Sequence, residues 1–219
     1  MVRAVCVVWV LVAAAAHAGE GASVEGARAL IAQVKYKDAA KVLEAALAKG
    51  GTEAETTHQL FELSGVVAGS LGRAEQARYF FLRLLSLDPE ATLKKRYPPR
   101  VMTPFFEAKA WVEKNDPLSF NVVQARIKDG KVTHLIVELK KDPLAMARTV
   151  RIFWREGEDG EWQGLERPAA LGLLAFDVSG VELEWHAVLA GENGIELVTL
   201  ARRDMPLHAR PPSPAPSAE

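Results

Sequence analysis

Cysteine is almost absent from this chain: its 219 residues hold one, Cys6. Without that residue the chain can form no disulfide, no Cys-based zinc site and no Cys nucleophile, and its fold must be held by a hydrophobic core. A long apolar run is also missing. The apolar stretch Ala4–Ala16 has 13 residues, whereas a membrane-spanning helix needs about 20. Neither sign of charge dominates, with 27 Lys and Arg against 28 Asp and Glu. That balance argues against nucleic acid, which calls for a basic stripe, and against an anionic lipid surface, which calls for a polybasic segment. No His-x-x-x-His or His-Glu-x-x-His spacing occurs, and no Gly-x-Ser-x-Gly elbow, phosphate loop, dinucleotide glycine pattern or Asp-rich calcium loop. The sequence therefore names no catalytic residue, no cofactor and no metal ligand.

What is present begins at the N-terminus. Arg3 precedes the apolar run, and Ala16-His17-Ala18 supplies the small-x-small pattern of a cleavage site. A positive end, an apolar middle and a small-residue exit describe a secretory signal over residues 1–18, cut after Ala18. Cys6 lies too early to be a lipidation site. The expected mature chain of 201 residues is periplasmic or secreted, with no stable membrane span, and carries 26 basic and 28 acidic residues. Its 49% hydrophobic content is that of an ordinary globular protein.

The chain changes character at Asn115-Asp116-Pro117. Alanine-rich stretches with helical spacing precede it, and valine-rich alternating stretches with Gly/Asp turns follow. Helices followed by strands predict an α+β multidomain protein: a helical domain over 19–115, a β-sandwich over 116–204, and an extended, disordered Pro-rich tail over 205–219. Pro206–Glu219 has five prolines in 14 residues. Helices are expected at Ser23–Val34, Lys37–Ala48, Thr52 to about Leu71, Ala74–Leu87 and Pro104–Val112. Thr52 with Glu55 reads as a capping box.

The helical half repeats itself. Ala39, Leu43 and Ala46 align with Ala77, Phe81 and Leu84 at an offset of 38 residues. The second copy adds Gly65, Leu71-Gly72-Arg73 at its turn and Asp88-Pro89 at its end. Over residues 23–89 this resembles tetratricopeptide repeats, whose unit is about 34 residues. The first copy departs from the pattern: it has Ala27 in place of the glycine, lacks the closing proline, and carries extra residues around Gly50–Glu53. The resemblance implies a scaffold whose first helices line a concave, partner-binding face. Arg28, Ile31, Gln59, Glu62 and Val66 would stand there, although ordinary solvated positions account for them equally well.

About seven strands are expected after residue 116: Leu118–Lys128, Val132–Leu139, Arg148–Arg155, Glu161–Leu165, Gly172–Val178, Glu182–Ala190 and Ile195–Ala201. Asn193-Gly194 marks a hairpin turn, because both residues accept positive φ. The stretches Thr149–Arg155 with Trp162, and Val181–Gly194, resemble those of fibronectin type III and immunoglobulin-like sandwiches. The tyrosine corner and the cysteine pair of such domains are missing. His134 and His186 fall on strands and could meet across a sheet. The acidic turn Glu156–Glu161 and the basic cluster Lys94-Lys95-Arg96 with Arg100 read as solvated charge.

Tetratricopeptide-like helices beside a sandwich in an exported chain resemble envelope proteins of Gram-negative bacteria. The function this implies is a non-enzymatic adaptor or structural accessory that binds another envelope protein. The alternative is a cell-wall glycan-binding module that uses exposed aromatics of the sandwich. Exposure of Trp111, Trp154, Trp162 and Trp185 distinguishes the two.

Overall fold

The computed structural model describes residues 17–93 and 96–212, with side chains from residue 23 onward. Residues 1–16 of the expected export signal, Lys94 and Lys95 of the basic cluster, and residues 213–219 of the expected tail lie outside the described residues.

Five helices come first: α1 (His17–Ala32), α2 (Tyr36–Lys49), α3 (Ala54–Ser70), α4 (Ala74–Leu87) and α5 (Pro99–Asn115). Each packs on its neighbour, and α3 also meets α1 and α5. All six residues of the internal repeat, Ala39, Leu43, Ala46, Ala77, Phe81 and Leu84, are buried. The small residues admit the facing helix and the large ones fill the space beside it. Gly65 packs directly under the Phe81 ring, where a Cβ would overlap Phe81 Cε1. The turns of the two copies also correspond. Lys35 N donates to Leu30 O at 2.9 Å, and Arg73 N donates to Ala68 O at 2.9 Å. The residue inside each turn, Val34 or Gly72, has positive φ (61° and 77°), the left-handed closure common at helix ends.

Two helix starts differ from expectation. No Thr52 capping box forms. Glu53 is the N-cap residue of α3 and makes no side-chain cap bond, while Thr52 Oγ1 bonds Thr57 Oγ1 at 2.7 Å. Helix α5 begins at Pro99 rather than Pro104. Proline is favoured in the first helical turn, where its missing N–H has no partner to lose, and the tandem Pro98-Pro99 outweighs the later Pro104 as a start signal.

Eight strands follow in two antiparallel sheets: β1 (Ser119–Lys128), β2 (Lys131–Lys141), β3 (Thr149–Glu156), β4 (Gln163–Pro168), β5 (Gly172–Gly180), β6 (Leu183–Ala190), β7 (Glu196–Leu200) and β8 (Leu207–Ala209). One sheet has the order β1-β2-β5, the other β4-β3-β6-β7, with β8 also on β6. β2 pairs β5 in the first sheet and β3 pairs β6 in the second, so the chain crosses from one sheet to the other after β2, after β4 and after β5. Val150, Ile152 and Trp154 face inward from β3, opposite Leu189, Ala187 and Trp185 of β6.

The eighth strand corrects the expected tail. Leu207–Ala209 pairs with Leu183–Trp185 of β6, because β7 covers only the later half of β6 and leaves backbone donors and acceptors there to be satisfied.

The halves share one core. Phe61, Phe81 and Phe105 from the helices cluster with Phe120, Ile152 and Leu197 from the strands. A second cluster, including Val24, Leu43 and Leu60, lies among α1, α2 and α3. The junction is also hydrogen-bonded. Glu196 N donates to Thr52 O at 2.8 Å, Gly51 N to Asn193 O at 3.1 Å, and Leu118 N to Ser86 O at 2.9 Å. The His58 imidazole meets Leu197 O at 3.3 Å.

Candidate functional site

The helical face that the sequence assigns to a partner is partly closed. Arg28 and Ile31 on α1, and Gln59 and Glu62 on α3, are half-buried. Val66 is fully buried in the core, which corrects its placement on a binding face: α3 is enclosed by α1, α4 and α5, so its sixty-sixth position turns into packing. Tyr97, in the connector between α4 and α5, lies in the electrostatic neighbourhood of the remaining residues. Burial raises its pKa, the Glu62 carboxylate adds to the rise, Arg28 opposes it, and Tyr36 contributes a further rise. The chain's own connector thus stands at the face that the sequence assigns to a partner.

The tryptophans offer little to a sugar ring. Trp154 and Trp185 are buried, and Trp111 and Trp162 are half-buried. The Arg155 and Arg203 guanidinium groups lie 5.0 Å and 5.5 Å from the Trp162 ring centroid, in cation–π range. Beneath them His186 stacks on Phe153 at 4.9 Å and meets the edge of Trp162 at 5.0 Å. Glu184, also buried, accepts from Arg155 Nε at 2.7 Å. His186 Nδ1 is buried with no hydrogen-bond partner among the described residues. Its pKa is lowered to about 4, first by burial and then by the Arg203 charge.

The two strand histidines do not meet. His134 is on β2 and His186 on β6, in different sheets. His134 Nε2 instead faces Asp177 Oδ1 at 3.1 Å, and its Nδ1 lies 3.0 Å from Thr133 Oγ1. The Thr133 hydroxyl is within 3.2 Å of the Arg126 carbonyl, so its proton has a backbone acceptor to satisfy. Asp177 also accepts from Arg167 at 3.3 Å. The arrangement ties β1, β2, β5 and β4 together at the surface. No group of three His, Cys, Asp or Glu among the described residues is placed to hold a metal ion. In the acidic turn, Glu156 Oε1 accepts from Val181 N at 2.9 Å, a structural role, while Glu158, Asp159 and Glu161 are exposed. Arg96 and Arg100 are exposed as well.

One open space was not foreseen. It is the seam of the sandwich, about 640 Å³ between the later half of β1 and β8. Val122, Ala125 and Ile127 line it from β1, Trp185 from β6, and Leu207 and Ala209 from β8. Among the described residues β1 has one paired neighbour, β2, so its other edge is free. A bulge between Val123 and Arg126 bends that edge where the seam opens. The signal in the sequence was slight: Val122 and Val123 are adjacent, so alternation breaks there. That β8 would form the far wall was hidden in a segment read as tail.

No family model matches this chain, and no curated protein matches it. Among solved structures, a crystal structure of wild-type OgpA from Akkermansia muciniphila is similar over 43% of this chain and 30% of that one, at 11% identity and a TM-score of 0.26. So loose a likeness bears on neither fold nor function. The class is set by the architecture itself: five helices followed by a two-sheet antiparallel sandwich, with no helix among the described residues long and apolar enough to cross a membrane.

Proposed function

We propose that this protein is an exported, non-enzymatic adaptor or structural accessory of a bacterial envelope that works by binding another protein. Burial of both copies of the repeat supports reading the helices as tetratricopeptide-like. The strand orders β1-β2-β5 and β4-β3-β6-β7 support reading the β half as a fibronectin type III or immunoglobulin-like sandwich. Export rests on the pattern of residues 1–18.

The observation that carries the binding role is the seam, a cleft of ordinary ligand-site size lined by both apolar and polar side chains and lying beside a free strand edge. Free edges are where polypeptides add to one another. The glycan reading loses its main support, because Trp154 and Trp185 are core residues and Trp162 lies against arginines.

The test is a crosslinked pull-down from envelope extract with the full chain and with Val122→Asp, which puts a charge in the seam. Capture of one specific protein by wild type and its loss with the variant is expected. Co-sedimentation with cell-wall polymer and no captured protein would replace this reading with the glycan one.

A further inference from the structure

The seam has a chemical preference, and it lies in the charges along its rim. On β1, Arg126 and Lys128 are exposed. Lys128 stands directly opposite Lys131 across the β1–β2 hairpin, and like charges so placed destabilise a strand pair. None of these three cations is in an ion pair among the described residues; the pairs formed there involve other side chains. Arg210 and His208 stand on the β8 side. Glu182 lines the seam, and Arg210 reaches it at 3.9 Å, while exposed Asp129 stands in the turn between Lys128 and Lys131. Gln124, Glu182, His208 and Arg210 stand among the apolar residues that line the seam, and Arg126 and Lys128 stand on β1 at positions alternate to Ala125 and Ile127, beside that lining.

We infer that the seam receives an extended, acidic segment of a partner polypeptide, which adds as a strand along the free edge of β1. Its alternate side chains enter the seam as apolar groups against Val122, Ile127 and Trp185. The intervening carboxylates, which point away from the seam, meet Arg126 and Lys128. A strand rises about 3.3 Å per residue, so about six residues lie alongside Val122–Lys128. Basic side chains on an edge repel basic strands and lose solvation against neutral ones, which protects against self-pairing. The same charges attract an acidic strand and set its identity, since electrostatic complementarity selects partners.

This inference rests on the protein-binding reading, and its test separates the two. The probes are dye-labelled peptides of about eight residues that alternate valine with glutamate or valine with lysine, together with a glutamate peptide interrupted by prolines. Fluorescence anisotropy with the full chain is expected to show the glutamate peptide binding at least roughly tenfold tighter than the lysine peptide. Affinity should fall with added salt. The proline-interrupted peptide should bind at least roughly tenfold more weakly, because proline removes the backbone donor.

In the Arg126→Glu/Lys128→Glu variant the preference should invert, so that the lysine peptide binds better; a misfolded chain cannot produce that result. Equal affinity for the two charged peptides, no binding, or binding that ignores the prolines overturns the inference. So does a wild-type dimer that dissociates in the same variant while no peptide binds, since the occupant is then a second copy. If wild type and the charge-reversed variant capture the same envelope protein equally, the adaptor reading stands and the acidic-strand inference falls. If the peptides behave as expected but no envelope protein is captured, the seam stands as a peptide site and the adaptor reading falls.

Discussion

At the scale of single residues, the comparison of the two repeat copies turns into a prediction. Val34 occupies the left-handed position that Gly72 fills in the second copy, and its side chain is 67% exposed. A side chain in that conformation costs about 1–2 kcal/mol, more than the entropy that a glycine adds to the unfolded chain. Val34→Gly should therefore stabilise the protein by about 1 kcal/mol, read as a rise in the urea midpoint at unchanged slope. His186 makes the second residue-scale case. Its folded pKa of about 4 lies below the ordinary 6.5, so the unfolded chain binds the extra proton between those values. Stability from the neutral imidazole is full above pH 6.5 and is lost as pH falls toward 4. The loss is on the order of 2 kcal/mol once solvent on the exposed Arg203 side is discounted. His186→Phe should show a smaller drop in urea-unfolding stability between pH 7 and pH 4.5 than wild type does. Equal drops would mean that the histidine does not carry the effect.

At the scale of elements, the sequence located all five helices and the first seven strands, because hydrophobic periodicity is a local signal. It misplaced what local signals could not settle. Proline content marked residues 206–219 as tail, yet Leu207–Ala209 finds the unpaired first half of β6 and becomes a strand. A chain ending at Met205 should lose about 3 kcal/mol, chiefly from exposed apolar surface at Leu183 and Trp185. The tryptophan emission of the folded state should shift to the red as Trp185 meets water. An unchanged spectrum and urea midpoint would show that β8 contributes nothing to the sheet. The outer face of β6 shows the same limit from the other side. Glu184, His186 and Val188 alternate with the core residues Leu183, Trp185, Ala187 and Leu189, yet all are buried, with Trp162 from the β3–β4 loop on the imidazole and Arg203 from beyond β7 over the Trp162 ring.

At the scale of the whole molecule, the helical half and the sandwich read from sequence as separate domains, and the structure gives them a common core. One cooperative calorimetric transition is expected, because neither half buries its junction surface alone. Gly50-Gly51 at the end of α2 and the Asn193-Gly194 turn meet at this junction. Gly50 has φ 68°, and a Cβ on it would overlap Asn193 O and Cβ. Gly50→Val should force the two loops apart and split the single transition in two. Retention of one transition at an unchanged midpoint would remove the junction from the account of cooperativity.

The sequence by itself determined the order and kind of every element before β8, the matching small and large residues of the repeat, and the chain-reversing role of its Asn-Gly turn. These depend on helical or strand periodicity and on backbone freedom, which a stretch of chain carries within itself. Only the tertiary structure decided that Val66 is core, that His134 and His186 lie in different sheets, and that Tyr97 comes near Glu62 and Arg28. It also decided that β1 and β8 face each other across an open seam. Each of these depends on which surfaces approach from far along the chain, and a nearly neutral, cysteine-poor sequence carries no local mark of that approach.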